Sequence, residues 1–172
     1  MRTDKNFHLD ETDARILEAL AGDGRITWSE LGHRIGLSLT PTLRRVRELE
    51  ERGCITGYQA TIDETRVGYA LSVMVAVSLS AQTDEGLAKF EKQVAEIPEV
   101  MSCFMMTGEI DYHLRVAVPD LEGYQRFIST LTKIQGVARV NSSFALKRVL
   151  ERHCPALRTG ARPRKRSGKA KV

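Results

Sequence analysis

The hydrophobic period of this 172-residue chain changes at Gly53, and that change commits it to a helical unit followed by a sheet unit. Before Gly53, apolar residues recur at three- and four-residue spacing; beyond it, strand-like runs and further helical stretches take turns. The segment ending there, RITWSELGHRIGLSLTPTLRRVRELEERG, reads as two short helices joined by a glycine turn. Thr27 caps the first, which begins at Trp28 with Glu30 in its opening turn, and Leu31 and Ile35 face inward. Gly36 ends it and Ser38 offers the next cap. Leu39, Leu43, Val46 and Leu49 then form one buried stripe, leaving Thr40, Pro41, Arg44, Arg45 and Glu48 outside. Pro41 falls in the first turn, where its missing N–H has no intrahelical partner to lose.

Such a pair is the helix-turn-helix unit, whose second helix enters the DNA major groove. A bundle with a basic outer face that never meets nucleic acid fits the same pattern, and this segment alone leaves both readings open. An earlier helix between Asp10 and Ala21, with Leu9, Ala14, Ile16, Leu17 and Leu20 on its apolar face, adds the third element that a small tri-helical core needs. The expected reading face is Ser38, Thr40, Thr42, Arg44, Arg45 and Arg47, with Arg47 nearest the buried edge.

The charge is unevenly placed. The chain has 26 Lys and Arg against 22 Asp and Glu. Seven of those cations, Arg158, Arg162, Arg164, Lys165, Arg166, Lys169 and Lys171, lie within residues 155–172, which hold no acid. The remainder is slightly acidic, so DNA affinity in the folded part must come from local arrangement. The tail is expected to be disordered, either as an arm that holds phosphates or as a solvated end. Cys54, Cys103 and Cys154 fit no disulfide or zinc spacing, and Cys54 and Cys103 are expected to fill core positions. His8, His33, His113 and His153 share no ligand spacing, so no metal is expected. There is no apolar run of membrane-spanning length, and the charged start MRTDKNFHLDE has no signal-peptide core; no membrane partner is expected, and the cytoplasm, with nucleoid association, is the expected compartment.

After Gly53, ITGYQATID reads as an extended strand leaving the helical unit. A β-branched run Leu71–Leu79 precedes a helix over residues 84–96, closed by Pro98. Strands at 100–106 and 112–118 flank the Thr107-Gly108-Glu109 turn. Another helix carries Leu121, Tyr124, Phe127, Ile128 and Leu131 inward, and a last strand covers 137–149. This β-α-β-β-α-β order is the ferredoxin-like unit, with both helices on one sheet face. Apolar residues on both sides of the strands argue that a second copy covers the other face. The expected fold is therefore α+β, with a winged-type, tri-helical helix-turn-helix domain (9–54), a linker (55–69), a ferredoxin-like domain (70–150) and the basic tail (155–172).

Three motifs, LD-x-x-D-x-x-IL at Leu9–Leu17, GLS-x-TP at Gly36–Pro41 and G-x-x-D-Y at Gly108–Tyr112, together with the order of elements from Leu9 to Arg152, give the chain its resemblance. It resembles the leucine-responsive/asparagine-responsive (Lrp/AsnC) regulators. The resemblance implies a transcription factor that binds operator DNA, dimerises through its sheet domain, assembles further into tetramers or octamers, and responds to a small amino acid. It places the effector around Thr107, Gly108, Asp111 and Tyr112, with Asn141, Ser142 and Ser143 of a neighbouring subunit lining the pocket. The chemistry is compatible: a glycine hairpin tip offers N–H groups to a carboxylate, and Asp111 offers a partner for an α-ammonium. A plain hairpin with an exposed acid remains the alternative reading of those residues. Sirohaem decarboxylases resemble the same layout and use histidines of the sheet domain, which draws attention to His113. No nucleophile–base pair, phosphate loop or metal cluster supports catalysis, so no enzyme activity and no cofactor are expected. An architectural DNA-wrapping protein of weak specificity is the other alternative, favoured by the tail and opposed by the acidic body.

Overall fold

The computed structural model describes residues 9–152 and 154–157. These residues fall into two compact units, one comprising 9–61 with 151, 152 and 154–157, the other Ile62–Leu150.

In the first unit, α1 (Glu11–Gly22), α2 (Trp28–Ile35) and α3 (Leu39–Glu51) close around Ile16, Leu20, Ile26, Leu31, Ile35, Val46 and Leu49. Two capping boxes start α1 and α2. The Asp10 carboxylate accepts from the Asp13 N–H at 2.7 Å, and Thr27 Oγ1 accepts from the Glu30 N–H at 3.2 Å while Glu30 reaches back. Gly36 ends α2 at φ 76°, a left-handed conformation that favours glycine. The turn is tight because of Gly32. A Cβ there would lie 2.7 Å from the Leu37 carbonyl oxygen and 3.0 Å from Thr42 Oγ1, so α2 approaches the turn and α3 only without a side chain.

The helix α3 departs from the expected stripe. Its fully buried residues are Thr42, Val46 and Leu49, while Leu43 is half-buried and Leu39 is 49% exposed. The first turn overhangs the small core, so an apolar residue at the correct angle still meets solvent. Ser38 occupies the N-cap position without a capping hydrogen bond; its carbonyl instead accepts from Thr42 Oγ1 at 2.9 Å. The expected strand ITGYQATID is not formed, because residues 55–63 have no regular structure and no sheet partner. Cys54 and Cys103 are exposed, one in the turn after α3 and one on an edge strand, so neither fills a core position.

The second unit contains β1 (Leu71–Leu79), α4 (Asp84–Ala95), β2 (Val100–Met105), β3 (Tyr112–Val118), α5 (Leu121–Leu131) and β4 (Val137–Phe144). All pairings are antiparallel and the sheet order is β2-β3-β1-β4, the ferredoxin-like arrangement. Alternation sends Val73, Val75 and Val77 of β1 and Tyr112, Leu114 and Val116 of β3 against Phe90 and Val94 of α4 and Phe127 and Leu131 of α5. Leu121, expected inward, is 57% exposed at the first turn of α5. The last strand stops at Phe144, well short of 149. Phe144 is paired with Val73 near the start of β1, and beyond it little partner strand is left. Leu146 and Val149 consequently stand in solvent.

The sheet face without helices is less apolar than expected. It presents Met74, Ala76, Ala117 and Phe104, but also Ser72, Ser102, His113, Arg115, Asn141 and Ser143. Arg115 is held there by Glu64 through contacts of 2.7 and 3.0 Å, and Arg148 adds a third at 3.1 Å. Among the described residues no helix is long and apolar enough to cross a membrane.

Candidate nucleic-acid interface and effector site

Residues four apart on a helix share a face, whereas neighbours point about 100° apart. This separates Arg44 from Arg45. The Arg44 side chain is 67% exposed on the outer face of α3, with Glu48 one turn on at 3.1 Å. Thr40, Leu43, Arg44, Arg47, Glu48 and Glu51 line a shallow groove of about 420 Å³ there. The Arg45 side chain is only 26% exposed, because its guanidinium donates to Asp10 and Asp13 at 2.7 Å each. Those are the two acids of the α1 capping box, so Arg45 ties α3 to the start of α1. The two carboxylates stabilise its cation and push its pKa up. For Asp10, burial opposes ionisation, but the Asp13 N–H and Arg45 outweigh it and hold the carboxyl below its ordinary value.

Two members of the expected reading face are therefore corrected. Thr42 is wholly buried against Gly32 and hydrogen-bonded to Ser38, so its hydroxyl does not reach a base edge. Arg45 is engaged within the fold. Ser38, Thr40, Arg44 and Arg47 remain at the surface, and Arg47, expected near the buried edge, is exposed. The Asp10–Asp13–Arg45 triad and the close approach at Gly32 were missed from sequence. The LD-x-x-D spacing carried a signal for the first; nothing local signalled the second.

In the sheet unit, Gly108 adopts φ 118°, and a Cβ there would meet nothing within 4 Å, so its requirement is conformational and not steric. Thr107 and Gly108 are exposed at the hairpin tip. Asp111 is 9% exposed and points inward. One carboxylate oxygen accepts from the Leu79 N–H at 2.6 Å and the other from Gln82 Nε2 at 2.5 Å, while the Asp111 N–H donates to the Val77 carbonyl. Asp111 thus pins the hairpin to the end of β1, which corrects both the exposed acid and the open ammonium partner. Gln82 carried no sequence signal for this role. Tyr112 is also turned inward; its hydroxyl donates to Glu91 at 2.9 Å and its ring lies 4.6 Å from that of Phe90. Burial, with Glu91 second, drives its pKa upward.

Within one protomer the hairpin and β4 are not brought together. β2 and β4 are opposite edges of the sheet, and Asn141 lies in a cross-strand row with Ala76, His113 and Phe104. Asn141 and Ser143 share the helix-free face, but Ser142, paired with Val75, points to the helix side and does not line a site with them. No cluster of His, Cys, Asp or Glu able to hold a metal occurs among the described residues.

A tri-helical reader with an exposed recognition helix, followed by a ferredoxin-like domain, defines a helix-turn-helix DNA-binding protein with an appended regulatory domain. The comparisons assign the particular family. Residues 9–56 match the winged helix-turn-helix DNA-binding model and residues 72–154 the Lrp/AsnC ligand-binding domain. The Bkd operon transcriptional regulator of Pseudomonas aeruginosa is 56% identical over 150 residues, covering 87% of this chain and 98% of that protein. A transcriptional regulator from Neisseria meningitidis, solved in complex with L-methionine, is 36% identical with a TM-score of 0.81, covering 84% of this chain and 94% of that one. The feast or famine regulatory protein of M. tuberculosis, also complexed with L-methionine, is 34% identical with a TM-score of 0.77, covering 87% and 99%. The chain belongs to the Lrp/AsnC family of transcriptional regulators.

Proposed function

We propose that this regulator reads its operator through Ser38, Thr40, Arg44 and Arg47 of α3, and that a small amino acid bound beside the β2–β3 hairpin adjusts its DNA binding or assembly. The observation that carries the DNA reading is the division on α3: Arg44 and Arg47 are exposed, whereas Arg45 and Thr42 are held within the fold. Arg44 is the candidate for a bidentate contact to guanine. The effector reading is supported by the L-methionine carried by two similar structures and by the exposed Thr107–Gly108 tip. In this reading Asp111 positions the hairpin, the tip amides receive the carboxylate, and Asn141 and Ser143 of a second protomer form the other wall. A homodimer through the helix-free face, with Met74, Ala76, Phe104 and His113 at its centre, supplies the two-fold axis that matches two half-sites; tetramers or octamers follow by further contacts.

Gel shifts on the promoter of a neighbouring operon test the first part. Operator affinity falls in Arg44→Ala; unchanged affinity and sequence preference in that variant refute the assigned reading face. Calorimetry with the twenty amino acids tests the second. At least one should bind wild type and bind less tightly to Thr107→Val and Asn141→Ala; silence from all twenty removes the sensing claim.

A further inference from the structure

The outer face of α3 carries acids of its own. Two rows of residues one turn apart run along it, Thr40 with Arg44 and Glu48, and Leu43 with Arg47 and Glu51, and all six line the same groove. Its two arginines and two glutamates cancel formally, on a surface assigned to a polyanion. Phosphate neutralisation dominates duplex affinity, so an acid placed there weakens binding. These acids return little to the fold. The Arg44–Glu48 pair spans 3.1 Å with its side chains 67% and 43% exposed, an arrangement worth little in water. With arginine N-terminal to the acid, it also has the less favourable of the two helical orientations. Both glutamates lie toward the C-terminal end of α3, where the helix dipole favours cations. Arg45 differs on each count, because its 2.7 Å contacts to Asp10 and Asp13 join α3 to α1. Glu48 holds Arg44 and nothing else in the fold gains by it.

We propose that Glu48 is a positioning residue that sets operator specificity: it holds Arg44 toward its base and weakens attachment to DNA in general. This role rests on the assignment of Arg44 to a guanine. Glu48 Oε1 accepts from Arg44 Nη1 at 3.1 Å, which leaves the remaining donors of the guanidinium fork for guanine O6 and N7. On an unrelated sequence the same long side chain gains most by swinging to a phosphate. The Glu48 carboxylate opposes that swing by attracting the guanidinium and repelling the phosphate. Specificity is a difference of two affinities, so a group that weakens the wrong complex serves as well as one that strengthens the right one.

The test compares full-length wild type, Glu48→Ala, Arg44→Ala and the double variant on an operator duplex and on an unrelated duplex of equal length, from about 50 to 200 mM salt. Both side chains are exposed, so these variants probe DNA binding and not folding. Glu48→Ala should bind the unrelated duplex more tightly, with log K against log salt steeper there by about 0.9 as Arg44 gains a phosphate. Its preference for operator should fall by roughly 3- to 10-fold, a part of what a bidentate guanine contact carries. An acid that only supported the helix would, when removed, weaken both duplexes together. With Arg44 already Ala, loss of Glu48 should leave the remaining preference as it stands and steepen the slope no further. Preference kept in Glu48→Ala beside a loss in Arg44→Ala would overturn the role of Glu48 and leave the α3 reading standing. A loss that recurs in the Arg44→Ala background would overturn it too, because Glu48 would then meet a base directly. Wild-type preference in Arg44→Ala would remove the guanine contact of Arg44 and the role of Glu48 with it.

Discussion

Adjacent candidate residues meet opposite fates in the two units, and for different reasons. On α3, Arg44 points out and Arg45 points back to α1, because consecutive helical residues diverge by about 100°. At the β2–β3 hairpin, Gly108 is exposed while Asp111 and Tyr112 are anchored in the domain. A helix separates reading from scaffolding around its circumference; the hairpin separates them along its length, between tip and base. In both places an acidic or basic side chain that resembles a ligand contact proves to be a strut.

The largest effect that sharpens this contrast is expected at Asp111. Asp111→Ala leaves the Leu79 N–H and the Gln82 amide without their acceptor, and should lower the stability of the sheet unit by about 2–3 kcal/mol in a denaturant titration. A variant as stable as wild type would return Asp111 to the role of a free ligand group. Next is Gly32→Ala, where the added methyl meets the Leu37 carbonyl at 2.7 Å; a loss of about 1–3 kcal/mol should appear in the thermal melt of the helical unit.

A smaller change is expected on acidification. Glu64 is held below its ordinary value of 4.5 by Arg115, against burial and with help from Arg148. A depressed carboxyl contributes stability in full above its unfolded value and loses it as pH falls through the folded one. Melting temperature should therefore drop below about pH 4.5, and Glu64→Gln should flatten that decline. An identical acid limb in the variant would show that Glu64 has no part in it.

The elements most legible in the sequence were those bounded by their own chemistry. β1 and β3 begin and end at the expected residues because β-branched runs stop at turn residues. Thr27, Glu30 and Gly36 bound α2 as read, since cap and stop signals are local. What stayed hidden depends on residues distant in sequence. β4 ends where its partner strand runs out, a limit invisible in the alternation of Val140, Phe144 and Leu146 and in the apolar Val149 beyond it. Leu39 and Leu121 have core spacing but lie in first turns beyond the core's edge. Arg45 finds its acids 35 and 32 residues away, and Asp111 finds Gln82 at 29, so local sequence spacing separates neither from a ligand-binding residue.

The most direct test sets Arg44→Ala beside Arg45→Ala, with thermal melts and operator affinity measured on the same preparations. Arg44→Ala should melt as wild type does and lose about 1–3 kcal/mol of discrimination between operator and a base-substituted site. Arg45→Ala should lose about 1–2 kcal/mol of stability and, assayed well below its melting temperature, retain that discrimination. The reverse pattern, with specificity lost at Arg45 in a protein of unchanged stability and kept at Arg44, would contradict the assignment of the reading face.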